Sequence, residues 1–362
     1  MNAGWREIVL IWFCVILAGC VVRGQADSWT PPEMGALWVQ PSQQTPAQPV
    51  WGHVDGLRVG LWPMPGPRGL LRVYAPYLGH ADDRMINYIA IEPVVEGTMA
   101  RSFSELEVSL LDGVDGLRFW SADALADTEP RDPTVPARGV IGYDGDVETL
   151  TVTIFVESYR SGAEVALCLT FRADCPYEVG ISTFMTDNSK PLGACIVTAT
   201  MGNYARLRDL YLGDRVVHAA ELWPAFSGSG FTPHACYSLD ELARTPTGAA
   251  VVSATPNESD PQAADYAPRT FIGWKYSGDL AAQSWRSEDP HALLRACVNG
   301  RAEYWASQAP IPGGIAFENF EMIEPFSNGA TFWFGVTPSQ AVGLDIDSLE
   351  SEPKQNPSYV LP

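Results

Sequence analysis

Glu318 is the residue in this sequence best placed to do chemistry, because Phe317, Phe320 and Met322 hem in a carboxylate within a run that reads as a strand, 315–323. A carboxyl group withdrawn from water has its pKa raised, which suits a general acid or base near neutrality. Alternation puts Ala316, Glu318, Phe320 and Met322 on one face and Ile315, Phe317, Asn319, Glu321 and Ile323 on the other. On that reading Glu321 is an alternative to Glu318 and not its partner. A second candidate is Glu105 with Glu107, two carboxylates on one face of a strand over 103–110, about 7 Å apart at the rise of extended chain. Such a pair can divide into an acid and a base. The third is Asn203-Tyr204-Ala205-Arg206-Leu207-Arg208, which as extended chain puts Tyr204, Arg206 and Arg208 on one face. Their two planar forks suit a carboxylate or sulfate. Each candidate has a plain alternative: a solvated strand face for the glutamates, and pairing with nearby acids for the arginines.

These residues need strands to position them, and strand signals fill the chain. Residues 294–336 read as a four-strand meander, with 294–298 and 301–305 flanking Asn299-Gly300, and 315–323 and 331–336 flanking a loop that ends in Asn328-Gly329. Further strands are expected over 56–63, 69–77, 85–95, 163–171, 177–184 and 194–200. Hairpins are expected over Asp144-Gly145 and Gly213-Asp214, with a helix as the rival for 204–211. One short helix should start at Ser238, whose hydroxyl can cap the chain while Glu241 reaches back. Many strands, little helix and close-spaced turns predict an all-β protein, a large antiparallel two-sheet β-sandwich with one or two short helices. The divisions expected are a signal peptide at 1–19, a Pro/Gln-rich tether at 20–50, one sandwich domain at 51–344 and an acidic tail at 345–362.

With 43 acidic against 23 basic residues and a formal charge of -20, the chain lacks the basic surface that nucleic acid requires. Nucleotide loops, nucleophile elbows, zincin helices and EF-hand loops are all missing from the sequence. The histidines His53, His80, His218, His234 and His291 lack metal-ligand spacing, so no metal and no cofactor is expected. Beyond residue 20 the cysteines are Cys168, Cys175, Cys195, Cys236 and Cys297, an odd set that leaves at least one thiol unpaired and the pairing open.

Arg6 precedes an apolar run over 8–17, too short for a membrane span and suited to a signal-peptide core, and Leu17-Ala18-Gly19-Cys20 follows. This resembles the bacterial lipobox, which implies cleavage before Cys20, lipidation of its thiol and attachment to a cell-envelope membrane through the lipid alone. Gly24-Gln25-Ala26 offers an ordinary signal peptidase another site, releasing a secreted protein that starts at Asp27. Ile315-Ala316-Phe317-Glu318, Pro325 and Asn328-Gly329 look like the C-terminal part of galactose-mutarotase-like super-sandwiches, where a strand-borne Glu acts as base. That resemblance covers about 20 residues, and the catalytic His pair of the family has no counterpart. More generally the mature chain is similar to uncharacterised exported proteins of planctomycete-type bacteria. Export, β architecture and ten tryptophans outside the signal segment, whose rings can stack on sugars, favour carbohydrate as ligand. A non-catalytic interaction lipoprotein is the alternative, and a mutarotase-like epimerase using Glu318 a further one. Oligomeric state and enzyme status stay open.

Overall fold

Alternating apolar and polar residues on many strands call for two sheets that share one apolar layer. The computed structural model, which describes residues 35–41, 49–61, 68–79, 85–126, 135–200, 206–257, 278–304 and 308–338, has that arrangement. The first sheet has nine strands in the order β1 (Trp38–Val39), β2 (Val50–His53), β3 (Arg58–Gly60), β4 (Leu71–Tyr74), β5 (Met85–Val95), β11 (Leu192–Thr200), β19 (Ala316–Ile323), β18 (Arg295–Arg301) and β14 (Ala235–Ser238). The second runs β13 (Val216–His218), β12 (Leu207–Tyr211), β16 (Ala250–Pro256), β17 (Ala281–Ser287), β20 (Thr331–Pro338), β10 (Cys175–Met185), β9 (Val165–Arg172), β8 (Val147–Val156) and β6 (Phe119–Ala122). Two further strands, β7 (Val140–Asp144) and β15 (Ala243–Arg244), pair with β8 and β16. The protein is thus an all-β, two-sheet antiparallel sandwich. Helix is confined, among the described residues, to α1 (Ala219–Leu222) and two single 3-10 turns. None of these is long and apolar enough to cross a membrane.

Ile89, Ile91, Val197, Val298 and Phe320 of the first sheet meet Leu167, Ile181, Val252, Trp285 and Phe334 of the second in one hydrophobic cluster. Polar links cross this layer. Trp285 Nε1 donates to the carbonyl of Phe320 at 2.9 Å, and Asn87 Nδ2 donates to Gln283 Oε1 at 2.6 Å. Trp38, Trp51, Trp120, Trp285 and Trp333 are buried, so these rings fill the protein's interior and do not offer a stacking surface. Trp29, Trp62, Trp274 and Trp305 lie outside the described residues.

The hairpins over Asp144-Gly145 and Gly213-Asp214 form as the turn chemistry predicts, as β7–β8 and β12–β13. β1 lies within the stretch read as tether, with Trp38 opposite His53. Three expectations are corrected. Asn299-Gly300 is not a turn: β18 runs straight through it, and Gly300 is required because a Cβ there would meet the Ala316 carbonyl at 2.7 Å. Asn328-Gly329 does reverse the chain, with Gly329 at φ +83°, but it hands the chain from β19 in one sheet to β20 in the other. Asn328 Oδ1 and the Gly329 N–H bond to β10 at Met185 N and Thr183 O, which fixes that crossing. Finally, the capping box of Ser238 and Glu241 is present, but it opens only the turn Leu239–Glu241, because the chain then enters β15.

The Asn87–Gln283 bond predicts a non-additive pair. Gln283→Leu alone strands a buried amide and should lower stability by about 1–3 kcal/mol in urea unfolding, while Asn87→Leu/Gln283→Leu should recover part of that loss. Additive losses in the double variant would contradict it.

Candidate functional site on the outer face of the nine-stranded sheet

With Ile89, Ile91, Val197, Ala199, Phe320, Met322, Ala296 and Val298 committed to the core, alternation sends Glu92, Thr198, Glu321, Cys297 and Asn299 to the other side of the sheet. Register lines them up across strands: Thr198 lies opposite Glu321, Glu321 opposite Cys297, and Cys297 opposite Cys236. The last two form a disulfide that fastens the edge strand β14 to β18. Cys168, Cys175 and Cys195 are free thiols. An ordinary outer face would leave these carboxylates in water, yet Glu92 is 4% and Glu321 0% exposed.

Arg101 makes this burial tolerable. It bridges to Val94 beside β5, and its guanidinium donates to Glu92 Oε2 at 3.0 Å and to both oxygens of Glu321 at 2.7 and 2.9 Å. Thr198 Oγ1 donates to Glu321 Oε2 at 2.7 Å. His234, just before β14, holds Nε2 3.5 Å from Glu321 Oε1 and 3.3 Å from Asn299 Nδ2. Burial lowers the pKa of His234 against the pull of Glu321, so the ring is neutral and its Nε2 accepts from the Asn299 amide. Asn299 Oδ1 in turn accepts the Asn319 N–H at 3.2 Å. Two carboxylates share one guanidinium, and Glu92 is pushed up to about 7, first by burial and then by the charge of Glu321. Glu92 therefore exchanges a proton near neutrality.

Glu318 lies on β19 three residues before Glu321, at a point where simple alternation fails. Val298 pairs with Phe320 and Gly300 with Phe317, so β19 carries one residue more than β18 between these points. This bulge at Glu318-Asn319 resets the parity, and Phe317, Phe320 and Met322 all enter the core. Glu318 is 5% exposed, and its carboxylate accepts no hydrogen bond from a described residue. Burial raises it to about 7, with Arg301 opposing. Arg301 is itself held by the carbonyls of Glu303 and Ser229, each at 3.2 Å, and its guanidinium lies 5.0 Å from the Phe231 ring centre.

The other candidates are rearranged. Residues 103–110 form turns and not a strand, because side chains supply the bonds a ladder would have made. Ser104 Oγ donates to Gly69 O and accepts Ile91 N–H, Glu107 Oε2 accepts Arg160 N–H, and Glu157 Oε1 accepts Leu110 N–H. Glu105 and Glu107 thus share no strand face. Instead Glu105, itself raised by burial, adds its charge to the surroundings of Glu92. Arg208 is engaged by the turn before β19, through the carbonyls of Pro312 and Ile315 and the side chain of Asn257, and so props that turn instead of facing a ligand. Arg206 is buried with φ +46°, which ends the regular alternation expected of it. Asn203, Tyr204 and Cys20 lie outside the described residues.

Sequence reasoning missed Arg101, His234 and Glu92 as members of one site. The available signal was Glu92, which follows Tyr88 and Ala90 on one face of a run otherwise rich in apolar residues. Among the described residues no three His, Cys, Asp or Glu side chains are grouped to hold a metal ion. The fold and this face define a class, a two-sheet sandwich with a buried polar network on one outer face. No family model matches the chain, and no curated protein matches it.

Glu92 and Glu318, near 7 when folded and 4.5 ordinarily, bind protons in the native state that the unfolded chain has released. Their stabilisation is complete below the ordinary value and is lost as pH rises through about 7. His53 and His234, lowered by burial, act in the opposite sense but only below 6.5. The contribution of these two carboxyls to the urea midpoint should therefore fall between about pH 4.5 and 7, with the two histidines partly offsetting it below 6.5. Glu318→Gln, which cannot titrate, should lose that component, so the difference in midpoint between wild type and variant should change from pH 4.5 to about 7, and a difference constant over this range would refute the assignment.

Proposed function

We propose that the protein is an exported, carbohydrate-associated envelope protein whose ligand binds on the outer face of the nine-stranded sheet. The observation that carries this reading is the hydrogen-bonded network of Glu92, Arg101, Thr198, Glu321, His234 and Asn299, in which Glu92, Thr198, Glu321 and Asn299 are buried. Such preorganised donors and acceptors suit a polyhydroxylated ligand, because no ordering is required when its hydroxyls arrive. His234, with 38% of its side chain exposed, is the member that reaches solvent. The Cys236–Cys297 disulfide accords with an oxidising compartment, and therefore with the export implied by the lipobox at Cys20.

A second reading adds turnover, supported by Glu318: a buried carboxyl poised near 7 is suited to moving a proton on and off carbon or oxygen, as in a mutarotase-like reaction. The two readings separate by mutation. In a glycan array followed by calorimetry, His234→Ala should weaken binding at least tenfold, whereas Glu318→Gln should preserve binding and abolish any epimerisation. Binding that survives His234→Ala unchanged would place the ligand elsewhere.

Anchoring is tested independently. Cys20→Ala should move the protein from the membrane to the soluble fraction. A mature N-terminus at Asp27 by mass spectrometry would exclude the lipid anchor.

A further inference from the structure

The same outer face continues past the polar network into a cavity of about 490 Å³, lined by Gly193, Ala194, Leu293, Arg295, Ile323 and Glu324 among others. Register fixes its position. Arg295 lies opposite Ile323 and Ser238, two residues along β18 from Cys297, which is opposite Glu321. The bulge of β19 lies beyond Val298, so alternation is unbroken between Cys297 and Arg295, and the two share a face about 7 Å apart along the strand.

Arg295 differs from the arginines of this acidic protein that are held by ion pairs. Arg68, Arg101, Arg172, Arg215 and Arg286 are bound to carboxylates. Arg295 makes no ion pair or hydrogen bond with any described residue, although Glu324 lines the same cavity. Glu324 instead accepts the His291 N–H at 3.2 Å, and burial holds its carboxyl above the ordinary range. The floor is apolar: Ala194, Ile323 and Pro325, with Leu293 at 65% exposure on the rim. An open guanidinium fork, an apolar floor and a carboxyl acceptor together match a pyranose that carries an anion. The ring's C–H face would lie on the floor, its anionic group on the fork, and a hydroxyl on Glu324.

Resting on the carbohydrate reading above, we infer that this cavity is a subsite for an anionic sugar residue, uronate or sulfate ester, with Arg295 as the group that selects it. It takes the role that sequence reasoning gave to Arg206 and Arg208. The ligand then extends along the sheet face, one residue at the polar network and an acidic neighbour at Arg295.

The full chain can be titrated calorimetrically with three probes: a galacturonate trisaccharide, its methyl ester, and a sulfated galactose oligosaccharide. The wild-type protein should bind at least one anionic probe about tenfold or more tightly than the neutral ester. Which anion binds tells uronate from sulfate. Arg295→Gln should remove that preference while leaving affinity for the ester unchanged, and Arg295→Lys should restore part of it. As Arg295 is exposed and free of partners, folding should be unaffected, which circular dichroism checks. If all three probes bind alike and Arg295→Gln alters none of them, this inference is overturned and the carbohydrate reading stands. If the wild-type protein binds no probe, this inference is overturned, and the glycan array decides the carbohydrate reading by itself.

Discussion

The guanidinium of Arg101 lies between Glu92 and Glu321, two carboxylates with almost no exposure, on a sheet face that alternation leaves no other way to fill. Breaking a buried ion pair by removing one partner costs about 3–5 kcal/mol, since the remaining charge stays away from water. Here a single cation answers for two anions, so the arrangement is short of positive charge by design of the sequence. Burial first, and then this shortfall through the charge of Glu321, raises the pKa of Glu92. The cation also has to be delivered. Arg101 arrives on the bridge to Val94, and the turns after it are held by Ser104, whose hydroxyl binds Gly69 and Ile91, and by the Leu117 N–H to Ser104 O. A buried Tyr159 hydroxyl donates to Ile91 O at 2.8 Å behind the same strand. The excursion between β5 and β6 is therefore what positions the charge at the centre of the sheet.

The bulge in β19 is the second constraint. It admits Phe317, Phe320 and Met322 to one core and breaks the alternation that would set Glu318 and Glu321 on opposite faces. Extra residues in a strand re-aim side chains in this way, and they recur beside functional sites. Asn299 marks the place from the other strand, its side-chain oxygen accepting the N–H of Asn319 where the ladder is interrupted.

Local features were legible from sequence. β5 spans Met85–Val95, as its alternation indicated, and the β7–β8 hairpin and the Ser238–Glu241 capping box follow from turn and cap chemistry. Glu318 was legible as a buried, titratable carboxyl because aromatic neighbours announce desolvation at short range. Its companions were not, because Arg101 and Glu321 are separated by 220 positions and carry no mark of one another. The bulge was also hidden: Glu318 and Asn319 are both polar, so the pattern fits two parities equally well. Asn-Gly pairs misled in two ways. The dipeptide permits a reversal, but the need for a glycine at residue 300 is close approach to the next strand, and the reversal at 328–329 is real while its destination is set by the opposite sheet.

That crossing at 328–329 bears on the order in which the protein can be made. β19 lies between β11 and β18, and β20 between β17 and β10, so the last two described strands are interior members of different sheets. A nascent chain that stops before residue 316 holds every other described strand yet has a gap in the middle of each sheet, with four facing edges unpaired. Neither sheet can close before β19 and β20 have been made, and loop closure over such distances is slow. Until β19 and β20 are added, the edges of β11, β18, β17 and β10 stay unpaired, and any pairing among them before that point would have to be undone for the last two strands to enter.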